Sequence, residues 1–211
     1  GENLFITSSH KRSIYYTSLY GDVIDYYTFD SSLASSQWLQ SIEYLNGKLL
    51  VAFEKEVVLL DWHKKQIVWS TQENDVLLRD VHYAQYVDEF CYLISDNGND
   101  RAVFINGDNI RYITDINQND KTIKLSAPRF VKIINDKMYI ISTQSAQAQI
   151  LICDPATLNL VSKFGGIKGL GDNRLSMPRW ICKGPDKSIF ISDTGNHRII
   201  LRDILISGEI V

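Results

Sequence analysis

A chain of 211 residues with 45% hydrophobic and 22% charged residues is long enough to form one all-β domain with a sizeable core. Its formal net charge of −3 gives no general attraction to phosphate backbones or anionic membranes, so nucleic-acid binding would need a local basic patch. No apolar run approaches the roughly 20 residues of a membrane-spanning helix, and the first residues lack the pattern of a signal peptide. We therefore expect no membrane insertion, and the sequence assigns no compartment.

Short apolar runs recur along the chain at regular distances. In chain order they are NLFIT at 3–7, KLLVA at 48–52, CYLIS at 91–95, KMYIIS at 137–142 and SIFIS at 188–192. Further short runs and turns rich in Asn, Asp and Gly surround each one, which gives four short strands in each repeat. The runs are rich in Ile, Val, Tyr, Phe and Trp, and no amphipathic helical stripe is sustained.

Four-stranded repeats of about 46 residues are typical of β-propeller blades. We predict an all-β fold, a β-propeller of about five such repeats, with a sandwich or an irregular β-solenoid as alternatives. The first and last repeats are incomplete, and residues 1–211 form a single propeller domain or most of one. The approximate repeats are 1–30, 38–71, 81–114, 128–164 and 178–211, and the inner strands are expected near 39–44, 82–87, 129–134 and 179–183.

Residues 164–203, FGGIKGLGDNRLSMPRWICKGPDKSIFISDTGNHRIILRD, resemble an NHL repeat. They contain a glycine-rich connector, a proline that opens the innermost strand, a strand that ends in Asp, and then Asn-His-Arg-Ile. The match extends to 81–106, where Asp100 replaces the histidine, and weakens in 128–154, where QSAQAQ replaces the Asn-x-Arg corner. The resemblance implies a propeller of NHL type, a family in which most members have six blades.

The phrase ISDTGNHRIILRD at 191–203 has a counterpart, ISDNGNDRAVFIN, at 94–106. It is either a site or a structural corner between two strands. We expect the corner, because Asp and Asn can accept backbone N–H groups, Gly supplies a permissive backbone, and Arg can reach back to the Asp. The predicted corner residues are Asp96, Asn99, Arg101, Asp193, Asn196 and Arg198, and His197 is expected at the surface or between blades.

Three basic or titratable residues occupy one equivalent inner-strand position, and each precedes an aromatic residue. Inner strands of a propeller converge on the axial channel, so these side chains are candidates for binding an anion. In the first full repeat Gln40 lies at about this level. As an alternative, the basic residues tie neighbouring blades together through carboxylates such as Asp80. The candidate ligand-binding residues are His82, Tyr83, Arg129, Phe130, Arg179 and Trp180.

Metal and cofactor chemistry is not expected from this sequence. The four histidines fall at different repeat positions, so a three-histidine zinc centre is not predicted. This counts against the peptide-amidating lyase propellers that the NHL resemblance could suggest. Cys91, Cys153 and Cys182 stand singly in apolar runs, so we expect buried thiols and no dependence on disulfides.

A second resemblance covers residues 67–106, which are similar to a stretch of arylsulfotransferase-type propellers: a Trp-ended strand, a His-containing inner strand and an Asp-Asn-Gly corner. It implies an enzyme in which His82 acts as nucleophile or acid/base. Arg129 and Arg179 would then stabilise the developing negative charge on the transferred group.

The leading functional prediction is a non-catalytic binding or scaffold propeller. It presents an axial face and loops to a protein, a peptide or a small anionic ligand. A propeller enzyme that uses the His/Arg cluster is the alternative. RNA binding by the NHL face comes third, because 22 Lys and Arg do not outnumber 25 Asp and Glu. Since the chain starts at a second-position strand, a partner or a further segment is expected to complete the propeller.

Overall fold

The structure is a computed structural model that describes residues 3–30, 38–144, 147–205 and 210. Within these residues it contains β-strands and two short 3-10 turns and no α-helix, which confirms the all-β prediction. The chain divides into two compact units, Gly1–Tyr86 and Val87–Val211, and the boundary falls inside a strand.

The first unit contains two antiparallel sheets with simple up-and-down order. Strands β1 to β3 form a three-stranded sheet, and strands β4 to β7 form a four-stranded sheet, each in sequence order. The strands are β1 (Asn3–Ser8), β2 (Ser13–Ser18), β3 (Val23–Thr28), β4 (Leu39–Leu45), β5 (Lys48–Phe53), β6 (Val57–Asp61) and β7 (Gln66–Ser70).

The third sheet begins with β8 (Val81–Asp88), which crosses the boundary between the units. It has the order β11-β10-β9-β8 and includes β9 (Cys91–Asp96), β10 (Arg101–Asn106) and β11 (Asn109–Ile113). A two-stranded hairpin, β12 (Asp115–Gln118) and β13 (Lys121–Lys124), follows it.

Two more antiparallel sheets complete the second unit, again in sequence order. The fourth sheet contains β14 (Pro128–Ile134), β15 (Lys137–Gln144), β16 (Gln147–Cys153) and β17 (Leu160–Ile167). The last sheet contains β18 (Pro178–Lys183), β19 (Ser188–Asp193) and β20 (Arg198–Asp203). The 3-10 turns are Asn97–Asn99 and Thr194–Asn196.

The predicted inner strands begin and end within one residue of β4, β8, β14 and β18. The hairpin β12–β13 was not predicted. Its sequence, DINQNDKTIK, is mostly polar and contains only two apolar residues, Ile116 and Ile123. Ile116 is fully buried, and both isoleucines pack against the core of the second unit, so tertiary packing stabilises strands that local patterning does not reveal.

Each unit has its own apolar core between its sheets. In the first unit Leu49, Val51 and Leu60 are buried with Trp62 and Phe29. In the second unit the core contains residues from β9, β14, β15 and β16 together with Ile116 of the hairpin. Because a single blade-sized sheet cannot bury both its faces, this packing of sheet on sheet is the source of most of the stability.

Candidate functional site

The inner strands of three sheets carry a β-bulge at the same place. The register between β4 and β5 shifts at Gln40, that between β14 and β15 shifts at Arg129, and that between β18 and β19 shifts at Arg179. A bulge leaves the extra residue outside the regular pairing and changes the direction of its side chain, and such sites are frequent beside functional sites. The equivalence of Gln40, Arg129 and Arg179 is therefore a feature of backbone geometry as well as of sequence.

Arg129 and Arg179 belong to the second unit and lie on strands that contact each other. The rings of the residues that follow them, Phe130 and Trp180, are 4.9 Å apart between centroids. Arg179 is exposed and Arg129 is half-buried. The backbone carbonyl of Arg129 accepts a hydrogen bond of 3.3 Å from Ser95 Oγ, which fixes the strand and leaves the guanidinium out of this contact.

His82, the third predicted member of the cluster, lies in the first unit. Its side chain is half-buried, and its Nε2 atom is 3.5 Å from Oδ2 of Asp80. The backbone beside it is held by a hydrogen bond of 2.9 Å from the amide of Val81 to the carbonyl of Glu54. The contact between His82 and Asp80 joins residues two positions apart in one segment. The tie between neighbouring blades and the three-residue His/Arg cluster therefore both stay predictions.

The aromatic residues of the predicted site have different environments. Tyr83 and Phe130 are almost completely buried, whereas Trp180 is 39% exposed. Tyr83 Oη donates a hydrogen bond of 3.2 Å to Glu43, and burial of the phenol raises the pKa of Tyr83. In this conformation Tyr83 and Phe130 pack beneath the surface, so of the three rings Trp180 has the largest area open to a ligand.

The corner after β9 is built around the buried carboxylate of Asp96. Arg101 Nε donates to Asp96 Oδ2 at 2.6 Å, and Asn99 Nδ2 lies 3.0 Å from the same oxygen. Asp100 has a left-handed backbone with φ of 52°, and its side chain accepts a hydrogen bond from the amide of Ala127. These contacts join the β9–β10 turn to the segment that leads into β14.

The corner after β19 repeats this arrangement around Asp193. Arg198 Nε donates to Asp193 Oδ2 at 2.9 Å and Asn196 Nδ2 donates to it at 2.7 Å, while the amide of Ser176 donates to Oδ1 at 2.6 Å. Arg198 Nη2 also donates to the carbonyls of Gly171 and Arg174. Both predicted corners therefore contain the Arg-to-Asp contact.

The glycine of this corner has a different role from the predicted one. The left-handed residue is His197, with φ of 52°, and Gly195 does not have a positive φ. A Cβ atom on Gly195 would lie 2.5 Å from the carbonyl oxygen of Ser176, so the position requires glycine because of a close backbone approach. His197 is exposed. In the fourth sheet, residues 145 and 146 of the QSAQAQ stretch lie outside the described residues.

Among the described residues, no group of three or more His, Cys, Asp or Glu side chains could hold a metal ion. All three cysteines are free. Cys91 and Cys153 are buried, and burial raises the pKa of Cys153 to about 12, so its thiol is protonated at neutral pH. The prediction that Cys182 is buried is wrong, because its side chain projects from the exposed face of β18.

An aromatic pocket in the first unit was not predicted. It has a volume of about 250 Å³ and is lined by Asn3, Phe5, Tyr16, Tyr44, Trp62 and His63. The Phe5 ring packs against three of the other lining rings, with centroid distances of 4.9 Å to Tyr16, 5.1 Å to Tyr44 and 5.0 Å to Trp62. The strand repeat does not indicate this pocket, because the lining residues come from three strands and from the turn after β6.

An ion pair lies beside Trp62, one of the lining residues of the aromatic pocket. Lys65 Nζ lies 3.2 Å from the centroid of the Trp62 ring and also bonds to the carboxylate of Asp25. The bond from Lys65 lowers the pKa of Asp25. A cation thus already occupies one π-face of Trp62, and an additional cation in the pocket would be repelled.

Comparison with known sequence families finds no match, and comparison with curated proteins finds none. Several solved structures are similar in fold. Virginiamycin B lyase from Staphylococcus aureus superposes with a TM-score of 0.64 at 15% identity, over 99% of this chain and 65% of the lyase chain. The WD40 β-propeller domain of Doa1 superposes with a TM-score of 0.59 at 14% identity, over 99% and 71%. The fold is a β-propeller.

A protein of unknown function from Bacteroides caccae is similar as well, with a TM-score of 0.65, 11% identity and coverage of 99% and 76%. The predicted propeller of five small antiparallel sheets is thereby confirmed. These identities are low and the chain spans 65% of the lyase, so the comparisons establish the fold alone, and membership of the NHL family stays a prediction. Within residues 3–30, 38–144 and 147–205, no helix is long and apolar enough to cross a membrane.

Proposed function

We propose that this chain is a non-catalytic binding module, which holds a small anion or an acidic group of a protein or peptide at Arg129 and Arg179. The observation that supports this proposal is the shared β-bulge, which puts both arginines outside the regular pairing on two contacting strands. Arginine is suited to the task because its planar guanidinium binds carboxylate, phosphate or sulfate through two parallel hydrogen bonds.

The exposure of the two arginines sets the strength of this interaction. A hydrogen bond to a charged group contributes about 1.5–3 kcal/mol when water is excluded and much less in an open site. Arg179 is exposed, so an isolated phosphate binds weakly, in the millimolar range that corresponds to about 4 kcal/mol. A partner that also covers Trp180 would bind more tightly, because it buries apolar surface beside the charged contacts.

The affinity of citrate and of inorganic phosphate for the protein, measured by calorimetry at low ionic strength, tests the proposal. We expect Arg129→Gln with Arg179→Gln to weaken citrate binding at least tenfold while the unfolding temperature stays nearly constant. The matched control is Lys121→Gln with Lys124→Gln. These two lysines are exposed on β13, and their substitution removes the same charge elsewhere in the unit. Equal losses in both double variants would show a diffuse charge effect. A much lower unfolding temperature of the arginine variant, with unchanged citrate affinity while it is folded, would make the arginines inter-blade ties.

The enzyme alternative depends on His82 acting together with both arginines. The contact between His82 and Asp80 gives the imidazole a partner within its own unit, which favours a structural role. We expect a His82→Gln variant to retain full anion affinity, whereas a loss of anion affinity in a folded variant would favour the alternative in which His82 acts with both arginines.

The aromatic pocket favours a second candidate, an anchor for an uncharged aromatic side chain of a peptide partner. None of its lining residues is an acid or a lysine, and Tyr44 is half exposed at its rim. N-acetyl-tryptophanamide is a suitable probe, with binding followed by saturation-transfer NMR. Tyr44→Ala should abolish the transfer and Tyr20→Ala, at an exposed turn, should retain it; equal transfer in both variants would exclude the pocket.

A further inference from the structure

The residue that precedes an inner strand has a left-handed backbone in three sheets. The φ angle is 50° for Asp80 before β8, 42° for Ala127 before β14 and 51° for Met177 before β18. Aspartate adopts this conformation readily, whereas in alanine and methionine the Cβ atom crowds the following carbonyl oxygen. A proline follows both of these residues, and proline favours an extended conformation in the residue before it. The backbone is therefore strained directly before the bulges that contain Arg129 and Arg179.

Side chains from neighbouring segments hold Ala127 in this conformation. Its amide donates a hydrogen bond of 2.7 Å to Asp100 Oδ1, and its carbonyl accepts one of 3.4 Å from Thr143 Oγ1. The preceding carbonyl, that of Ser126, accepts a hydrogen bond of 2.8 Å from Ser142 Oγ. A disfavoured backbone conformation persists only where the surrounding contacts determine it. These three contacts therefore determine the direction in which the chain enters β14.

Asp100 makes the strongest of these contacts. Its hydrogen bond is the shortest of the three, and it is the one that involves a carboxylate. Hydrogen bonds to charged groups contribute more than neutral ones. Without this bond, Ala127 can relax towards the extended conformation that the following proline favours. Because the bulged Arg129 lies only two residues further along the chain, such a change would redirect its side chain.

A comparison of the two corners shows that the corner itself does not need the carboxylate of Asp100. In the corner after β19 the equivalent residue is His197, and both residues have a φ of 52°. The Arg-to-Asp contact is present in both corners, through Arg101 in one and Arg198 in the other. The corner therefore forms with or without a carboxylate at this position. What the carboxylate of Asp100 adds is the bond to the amide of Ala127, in the segment that leads into β14.

We propose that Asp100 is a positioning residue for the anion site. It holds Ala127 in the left-handed conformation and thereby directs the bulged Arg129 to the place where its guanidinium binds an anion together with Arg179. This inference rests on the proposed function and adds a residue that sets the affinity of the site without contacting the anion. Asp100, Ala127 and both arginines belong to the second unit.

Two substitutions of Asp100 separate the effect of the hydrogen bond from the effect of the charge. Asp100→Asn keeps an oxygen that can accept the Ala127 amide, and asparagine tolerates the left-handed backbone of this position. Asp100→Gly tolerates the same backbone but has no acceptor. Both variants remove one negative charge, so a difference between them in anion affinity reports the hydrogen bond. Asp100 is exposed, so we expect both variants to fold.

Each variant is tested by two measurements, citrate affinity by calorimetry at low ionic strength and the carbon chemical shifts of Ala127 without a ligand. We expect Asp100→Gly to bind citrate about five- to tenfold more weakly than Asp100→Asn, the factor that corresponds to the loss of one hydrogen bond. The Ala127 shifts should move towards extended values in Asp100→Gly and stay near those of the wild type in Asp100→Asn. Asp100→Asn should bind citrate at least as tightly as the wild type, because it keeps the bond and removes a negative charge.

The outcomes distinguish this inference from the proposed function. Equal citrate affinity of the two variants, with citrate still bound by the wild type, would overturn the positioning role of Asp100 and leave the proposed function intact. Ala127 shifts that do not change in Asp100→Gly would overturn it as well. A wild-type chain that does not bind citrate would overturn the proposed function, and this inference with it. If Asp100→Gly is misfolded by circular dichroism, Asp100→Ala replaces it, since alanine also lacks the acceptor.

Discussion

The carboxylate of Asp193 should be a major determinant of the stability of the last sheet. It is fully buried and accepts hydrogen bonds from Ser176, Asn196 and Arg198. In Asp193→Asn one oxygen remains for the Ser176 amide, but an NH2 group then faces the donors of Asn196 and Arg198. Loss of the bond to the charged arginine costs about 1.5–3 kcal/mol and loss of the neutral bond about 1 kcal/mol, so we expect the free energy of unfolding to fall by about 3 kcal/mol.

Urea unfolding followed by circular dichroism measures this change directly. In a thermal scan the same loss corresponds to a decrease of about 6–12 °C in Tm for a chain of this size. Asp203→Asn is the control, because Asp203 is exposed at the end of the same sheet and should change stability by less than about 0.5 kcal/mol. A decrease below about 1 kcal/mol for Asp193→Asn would refute the structural role of the corner and favour the alternative in which it is a ligand site.

Two further predictions concern a buried carboxyl group and the three thiols. Glu56 is 1% exposed, and burial, with a smaller contribution from Glu73, raises the pKa of its carboxyl. The folded chain therefore binds the proton of the Glu56 carboxyl more tightly than the unfolded chain does. The stability that this tighter binding contributes is present below pH 4.5 and is lost as the pH rises through the raised pKa. Glu56→Gln should raise Tm at pH 8 by about 2–4 °C, equivalent to about 1 kcal/mol, and by less at pH 4; a lower Tm at pH 8 would contradict this. Among the thiols, exposed Cys182 should react with a disulfide reagent within minutes in the native chain, and all three thiols should react in urea. Rapid reaction of two or more thiols in the native chain would contradict the burial of Cys91 and Cys153.

The strand repeat could be predicted from the sequence because it depends on local patterning. Alternation of apolar residues and the prolines at 128 and 178 indicate the starts of β14 and β18, and the corner phrase indicates which side chains meet. Each of these signals is complete within a few residues. The hairpin β12–β13 lacks such a signal, because it depends on Ile116 reaching a core formed by distant strands.

The environment of individual site residues could not be predicted in the same way. Phe130 and Trp180 occupy equivalent positions, yet Phe130 is buried and Trp180 is 39% exposed. The difference depends on packing between sheets, since the Trp180 ring lies against Phe130. Glu56 is buried by packing around the β5–β6 turn. The sequence of this turn is charged and therefore does not indicate burial. The aromatic pocket likewise arises from residues that are distant in the chain.

The most direct test of the proposed binding function is the NMR response of arginine side chains to an anion. Each arginine gives an Nε–Hε signal, and a guanidinium that binds an anion shows a shift that saturates with concentration. During a titration with citrate at low ionic strength, the signals of Arg129 and Arg179 should shift together with one dissociation constant, while that of Arg101, bonded to Asp96, should stay fixed. Uniform small shifts of all arginine signals, or saturation at other arginines alone, would contradict the assignment of the anion site to the bulged inner-strand arginines.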